Sequence, residues 1–530
     1  MNYFVNENIF TLNSGTEFSA IKRLKMFKNH QVEAKILTRN YNSQLSGDLK
    51  RVGLTHDDVI NMYDYFQEVM NVPEKDVDVR YTEKIDKRKY HIEGIDANES
   101  LIKHAGQTIA KVLIAPATVG LVGAIEYNDS MNHVVAKDIW DRRGFLSSTQ
   151  YFHPDGTQGA QILFDINGTP KLEITHMNIQ GVLNPTMYKL LNYKGKNRRF
   201  NREEELFTFF MSELASQEPS VFINDRPSLI PAVATVRGAV GKWQLLHNSH
   251  SKNNQQAGAS RSVADYLQNL FSLYKDNFDG LIVATKQQKD EISKYYDFKH
   301  IVTLTDTYSK KVKKSISRDK NKIIYIGRLS LEKKPADVLG IFTKVHERFP
   351  ETSLDFYGYS SPLEVQKDLE KLVEANNLKN VVNFKGYHSG EVIEAALDKA
   401  GLLLNTSEGE AFGMNVLEAL NHGVPVVAYK VKYGLNEQIE DGGNGYLVPY
   451  GAIQTAADSV IEIIRSKANW DKFSRSAYAK AKEYSEEAVW SQWLNEKIIA
   501  ESLFIKQSNK RNGESCYFLL TQHLIKKIQG

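Results

Sequence analysis

At 530 residues the chain exceeds what one hydrophobic core of ordinary size holds, so two or three domains are expected. A hydrophobic share of 42%, a charged share of 25% and a net charge of +3 are ordinary for a globular protein and too mild to argue for nucleic acid. The lone cysteine, Cys516, excludes an internal disulfide and fits a reducing compartment. No apolar run reaches the ~18–20 residues of a membrane span, and the first residues lack a signal peptide's apolar region. A cytoplasmic protein is therefore expected.

The chain opens with a short strand at Tyr3-Phe4-Val5. Ser14 and Glu17 then have the S-x-x-E spacing of a capping box, ahead of a helix with Ala20, Ile21 and Leu24 on its apolar face. Gly15 thus lies at a strand-to-helix turn, where a backbone can approach a phosphate closely. A second strand near Ala34–Leu37 completes a β-α-β start, and no G-x-G-x-x-G accompanies it.

Between about 61 and 200 the texture changes to short alternating runs, Phe145–Phe152, Gln161–Ile166 and Leu172–Met177. Turn signals at Pro154-Asp155-Gly156 and Asn167-Gly168 separate them. An antiparallel β-rich insertion is expected there. Asp76-Val77-Asp78 has a D-x-D form but no buried strand before it, and Lys194–Arg202 reads as a solvated charged face.

The α/β pattern returns at Val221-Phe222-Ile223. The strand Trp243–Leu246 ends in His247-Asn248-Ser249-His250, which places two histidines at the carboxyl edge of a parallel sheet. Nothing nearby completes a zinc site. A helix over roughly 262–274 and a strand over Gly280–Ala284 follow, and the polar, basic stretch 309–320 reads as a linker.

A second α/β domain starts at Lys322–Ile326. Arg328 and Lys333 lie on the following loop and helix start, positioned to converge on one anion. Further strands are expected at Leu354–Gly358, Val381–Tyr387, Gly401–Leu404 and Pro425–Tyr429, with a Gly442–Gly445 turn before Tyr446-Leu447-Val448. Their alternation with helices predicts a parallel sheet. Between the strand Gly401–Leu404 and a helix carrying Met414, Leu417 and Leu420 lies a Ser/Glu/Gly loop with Gly413 at the helix start. Such a helix start presents unpaired N–H groups to an anion. Glu410 precedes the helix and Glu418 lies on it. From Trp470 onward the chain reads as helical, and its tail mixes Lys/Arg with Phe518, Leu519, Leu520, Leu524 and Ile525. That tail suits either a membrane surface or an ordinary packed helix.

The R-x4-K pair and the E-x7-E loop resemble the donor site of the retaining glycosyltransferases of family 4. The opening TLNSGTEFSAIKRL and the interrupted first domain look like the wall-teichoic-acid α-glycosyltransferases of Gram-positive bacteria. The resemblance implies a GT-B fold: two Rossmann-like, doubly wound parallel-sheet domains, the first carrying the antiparallel insertion. It divides the chain into an amino-terminal domain (1–60 and 201–310), an insertion (61–200), a nucleotide-sugar domain (311–490) and a helix and tail (491–530). It also implies a UDP-sugar donor, retention of anomeric configuration, and no metal or other cofactor. His250, Arg328, Lys333 and Glu410 become the catalytic set, with His247 the weaker histidine. Gly15, Thr16, Gly386, Gly413, Met414, Asn415 and Glu418 become donor-binding residues. The implied acceptor is an anionic poly(polyol-phosphate). The alternatives are a Ser/Thr-rich adhesin, as in protein O-glycosyltransferases of accessory secretion systems, or no acceptor at all in an inactive glycan-binding subunit. A homo-oligomer through the insertion, and contact with the inner face of the membrane, complete these expectations.

Overall fold

The structure, a computed structural model, describes residues 1–73, 85–252, 261–305, 307–310 and 318–499. Asp76-Val77-Asp78, most of the linker stretch and the basic, apolar tail lie outside the described residues.

Seven parallel strands form the first sheet, in the order Ile301–Thr303, Gly280–Val283, Gly241–Leu246, Val221–Asn224, Asn2–Asn6, Ala34–Thr38 and Val59–Asn61. Six parallel strands form the second: Val382–Gly386, Ser353–Tyr357, Lys322–Ile326, Leu402–Asn405, Val426–Tyr429 and Gly445–Val448. In each sheet the strand that comes first in sequence lies in the interior, and the chain winds away from it in both directions. A crevice opens at the carboxyl end of such a switch point, where open α/β sheets take their ligands. Asn2–Asn6 and Lys322–Ile326 are these strands, so the Gly15 turn and the Arg328–Lys333 loop each emerge at a switch point.

Ten antiparallel strands, from His91–Gly94 to Lys196–Phe200, form a meander in strict sequence order. The expected turns are there, with Gly156 and Gly168 at φ +80°. The antiparallel sheet begins later than expected, because Val59–Asn61 extends the first parallel sheet and Met62–Phe66 is a helix. Asn61 caps that helix by accepting from the Tyr63 and Asp64 amides. Leu163, Leu172, Ile174, Tyr188 and Leu190 of the meander pack with Phe207 and Phe210 of the helix Glu203–Gln217. A second joint is polar. The fully buried Arg143 donates to Asp64, Asp141 and the Val69 carbonyl.

The carboxyl-terminal helix Glu486–Asn495 returns to the first lobe. Its Trp490 and Trp493 meet Phe27 edge-on at 5.2 and 5.4 Å. That helix runs through the expected 490/491 boundary. The expected helix over 262–274 is also corrected. Asp265–Leu267 is a 3-10 turn and only Gln268–Ser272 is α-helical, because leucines at 267, 270 and 273 mimic a longer apolar stripe while Leu273 is exposed.

Candidate functional site

The carboxyl ends of the two parallel sheets face each other, and most expected site residues sit on the loops or helix starts there, with Gly386 at the end of its strand and Glu418 within the helix Met414–Asn421. In the second lobe, two loops are laced together. Thr406 Oγ1 donates to the carbonyls of Lys333 and Lys334, both at 2.9 Å, and the Glu408 amide donates to the Glu332 carbonyl at 2.8 Å. This brings the Lys333 ammonium to 2.5 Å from the Glu410 carboxylate, which also accepts from Ser407 Oγ at 2.8 Å. Both side chains of the ion pair are mostly buried.

Glycine is required where these loops pass closest. A Cβ on Gly358 would stand 1.8 Å from the Gly327 carbonyl oxygen, and one on Gly434 would stand 2.0 Å from the Phe412 oxygen. Gly413 takes φ +88° at the start of the helix Met414–Asn421. The Asn415 side chain donates through Nδ2 to the Ile326 carbonyl at 2.8 Å and ties that helix start to the central strand.

Arg328 and Lys333, expected to converge, are each engaged by a different carboxylate. Arg328 bonds Glu332 at 2.9 Å and remains about 43% exposed, while Lys333 turns inward to Glu410. Gly386, at φ +75°, accepts from the Gly358 amide at 2.9 Å.

The first lobe meets this surface directly. The Glu17 carboxylate accepts from the Ser14 amide and hydroxyl, both at 2.8 Å, which closes the expected capping box and leads Gly15 and Thr16 into the helix Gly15–Asn29. Gly15 would carry a Cβ 3.8 Å from the Met414 sulfur. The Tyr387 hydroxyl accepts from the Asn13 amide at 2.9 Å, and Lys22 pairs with Glu418 at 2.7 Å.

The two histidines differ. His247 Nε2 lies 2.9 Å from Asp225, a fully buried carboxylate that also takes two 2.6 Å bonds from Arg23 and one of 3.0 Å from Asn6. Burial opposes the charge on Asp225. The Arg23 guanidinium and His247 outweigh it and hold the carboxyl below its ordinary range. His247 thus belongs to a structural knot. His250 is fully buried against Phe271 and Tyr433, and burial lowers its pKa to about 4 although Glu291 pulls the other way. It is a neutral imidazole.

Tyr433, Glu291, Lys432, Lys22 and Tyr387 belong to this constellation and were missed by the sequence reading. The available signal was position alone. Lys432 and Tyr433 follow the carboxyl end of the parallel strand Val426–Tyr429, and Tyr387 follows Val382–Gly386. The expected Gly442–Gly445 turn is closed by the Gly442 amide on the Gly445 carbonyl at 2.9 Å. Among the described residues, no group of three or more His, Cys, Asp or Glu is arranged to hold a metal ion.

Two facing parallel-sheet lobes with an ion-paired cleft between them define a GT-B fold, and comparison with known proteins agrees. The family described as Glycosyl transferases group 1 matches residues 306–483. The poly(ribitol-phosphate) alpha-N-acetylglucosaminyltransferase of Staphylococcus aureus (strain COL) is 24% identical over 490 residues, covering 91% of this chain and 96% of that protein. The poly(glycerol-phosphate) alpha-glucosyltransferase of Bacillus subtilis (strain 168) is 27% identical over 330 residues, covering 58% of this chain and 46% of that protein. Among solved structures, the pneumococcal O-GlcNAc transferase GtfA in complex with UDP and GlcNAc superposes with a TM-score of 0.81 at 20% identity, covering 94% of this chain and 99% of that one. The chain has the GT-B fold, and the family match falls on its second parallel-sheet lobe.

Proposed function

We propose that this protein is a UDP-sugar-dependent, retaining, metal-independent glycosyltransferase that moves glucose or N-acetylglucosamine onto hydroxyls of a poly(polyol-phosphate). One observation carries the reading: Lys333 and Glu410, 77 residues apart, meet at 2.5 Å beside the helix start Gly413–Asn415, at a switch point of a parallel sheet. A pyrophosphate seated there would meet an ammonium, helix-start amides and, after a turn of its side chain, the half-exposed Arg328.

In the transfer, the bond between the sugar's anomeric carbon and the β-phosphate oxygen breaks, and the acceptor oxygen bonds that carbon from the same face. The acceptor's proton passes to the departing phosphate. Negative charge grows on the diphosphate, where Lys333, Arg328 and the amides of Met414 and Asn415 would oppose it without a metal. Glu410 would take hydroxyls of the donor sugar, Glu418 the ribose hydroxyls, and His250 the sugar near its reacting carbon. Gly15, Thr16 and Gly386 would let the backbone close over the donor.

A second reading, transfer to Ser/Thr-rich protein, is favoured by the overlay on the O-GlcNAc transferase. The presence of Arg328, Lys333, Glu410 and Glu418 in this chain supports either transfer reading over an inactive binding subunit, which has no need of them. Release of UDP, measured with teichoic acid and separately with a serine-rich peptide, separates the three. Release with the polymer alone supports the first reading, release with the peptide alone the second, and release with neither the third. We place the enzyme in the cytoplasm at the inner membrane face, as an oligomer assembled through the antiparallel sheet. No helix among the described residues is long and apolar enough to cross a membrane.

A further inference from the structure

Tyr433 has φ +79° and ψ −114°, a backbone conformation that bulky L residues rarely adopt. It is held there from two sides. The amide of the next residue, Gly434, donates to the Glu410 carbonyl at 3.3 Å, and Tyr433's own amide donates to Gln287 of the other lobe at 3.4 Å. The result is a phenol driven across the cleft into the first lobe. There its hydroxyl lies 3.0 Å from Glu291 Oε2 and 3.4 Å from His250 Nδ1. Lys432 pairs with the same Glu291 oxygen at 3.1 Å.

We infer that Tyr433 is a positioning residue that fixes His250 in one tautomer, with the proton on Nδ1 and a free lone pair on Nε2. The inference rests on the transfer reaction proposed above for what that lone pair meets. The direction of each bond follows from chemistry. Glu291, paired with an ammonium, is a carboxylate and only accepts, so the Tyr433 proton points to it. The hydroxyl then turns a lone pair toward His250, and a neutral imidazole answers with Nδ1–H. Nε2 must be the acceptor nitrogen. It is fully buried and meets no protein hydrogen-bond partner among the described residues. A buried acceptor left open in this way suits a hydroxyl donor, and a sugar supplies several. The relay runs from the second lobe into the first, so His250 is set for the sugar only when the lobes are together.

Nitrogen-15 spectra of the full chain with labelled histidine read both ring nitrogens. His250 is expected to show a pyrrole-type Nδ1 and a pyridine-type Nε2. Tyr433→Phe keeps the ring and removes the hydroxyl. It is expected to populate both tautomers and to lower kcat for UDP release about tenfold, the worth of one hydrogen bond, with donor KM within about twofold. A protonated Nε2 in the wild type, or a Tyr433→Phe enzyme with wild-type kcat, overturns the inference. If Tyr433→Phe fails to fold, Glu291→Gln removes the anion that orients the hydroxyl, and the same spectrum must then show mixed tautomers. A wild type that releases no UDP would sink the transfer reading alone, since the nitrogen spectrum still decides the tautomer.

Discussion

Lys22 and Glu418 hold each other at 2.7 Å from opposite lobes, one on the helix behind the Gly15 turn and the other on the helix behind Gly413. If Glu418 takes ribose hydroxyls, nucleotide must compete with Lys22 for it. A partly exposed pair of this kind contributes roughly 0.2–1 kcal/mol. Lys22→Ala is therefore expected to tighten UDP binding by up to about fivefold, measured by titration calorimetry, with little change in melting temperature. Unchanged or weaker binding would remove Glu418 from the ribose site.

Lys333→Ala and Glu410→Ala are each expected to lower the rate of UDP release by about 10²–10³ while circular dichroism stays native. Because the two side chains bond each other, their effects should not add. The double variant is expected to lose little more than the worse single one. Full turnover in either single variant would exclude that residue from the reaction.

The loop that bears Glu410 depends on a glycine in the next strand connection. Gly434→Ala forces a Cβ against the Phe412 carbonyl, whereas Gly451→Ala adds one to open space at φ +75°. The first is expected to cost well over ~1–3 kcal/mol and to depress activity, the second only ~1–2 kcal/mol. Melting temperature and UDP release measured on both variants check the contrast.

The buried joint between the first lobe and the antiparallel sheet sets a pH dependence. Burial pushes the Asp64 carboxyl up to about 7, against the pull of Arg143 and with the help of Asp141. A carboxyl that holds its proton more tightly when folded stabilises the fold at low pH, and that contribution fades as pH rises from about 4 toward 7. Asp64→Asn should flatten this dependence, by roughly 1–4 kcal/mol between pH 5 and 8, in denaturant titrations of both proteins. Equal slopes would contradict it.

Much of both lobes was legible because the rules are local. β-branched runs such as Lys322–Ile326, the glycine at 413 and the capped start at Ser14 each announce themselves within a few residues. The resemblance to a family put Lys333 and Glu410 in one donor site, but their direct pairing was not legible, since no spacing rule joins residues 77 apart. Glu291 and Tyr433 were not legible. They meet across 142 residues and across two lobes, and neither sits in a local pattern that separates it from an ordinary helix or loop position. The 262–274 helix was misread for the converse reason: a leucine stripe satisfied helical spacing where burial did not continue past Phe271.

The most direct test is a crystal structure with UDP bound. The predicted result is diphosphate density within hydrogen-bonding reach of the Lys333 ammonium and the amides of Met414 and Asn415, with ribose at Glu418 and Lys22 displaced. UDP lodged outside the interlobe cleft, or diphosphate in the cleft with Lys333 still on Glu410 and out of reach of it, would contradict that assignment.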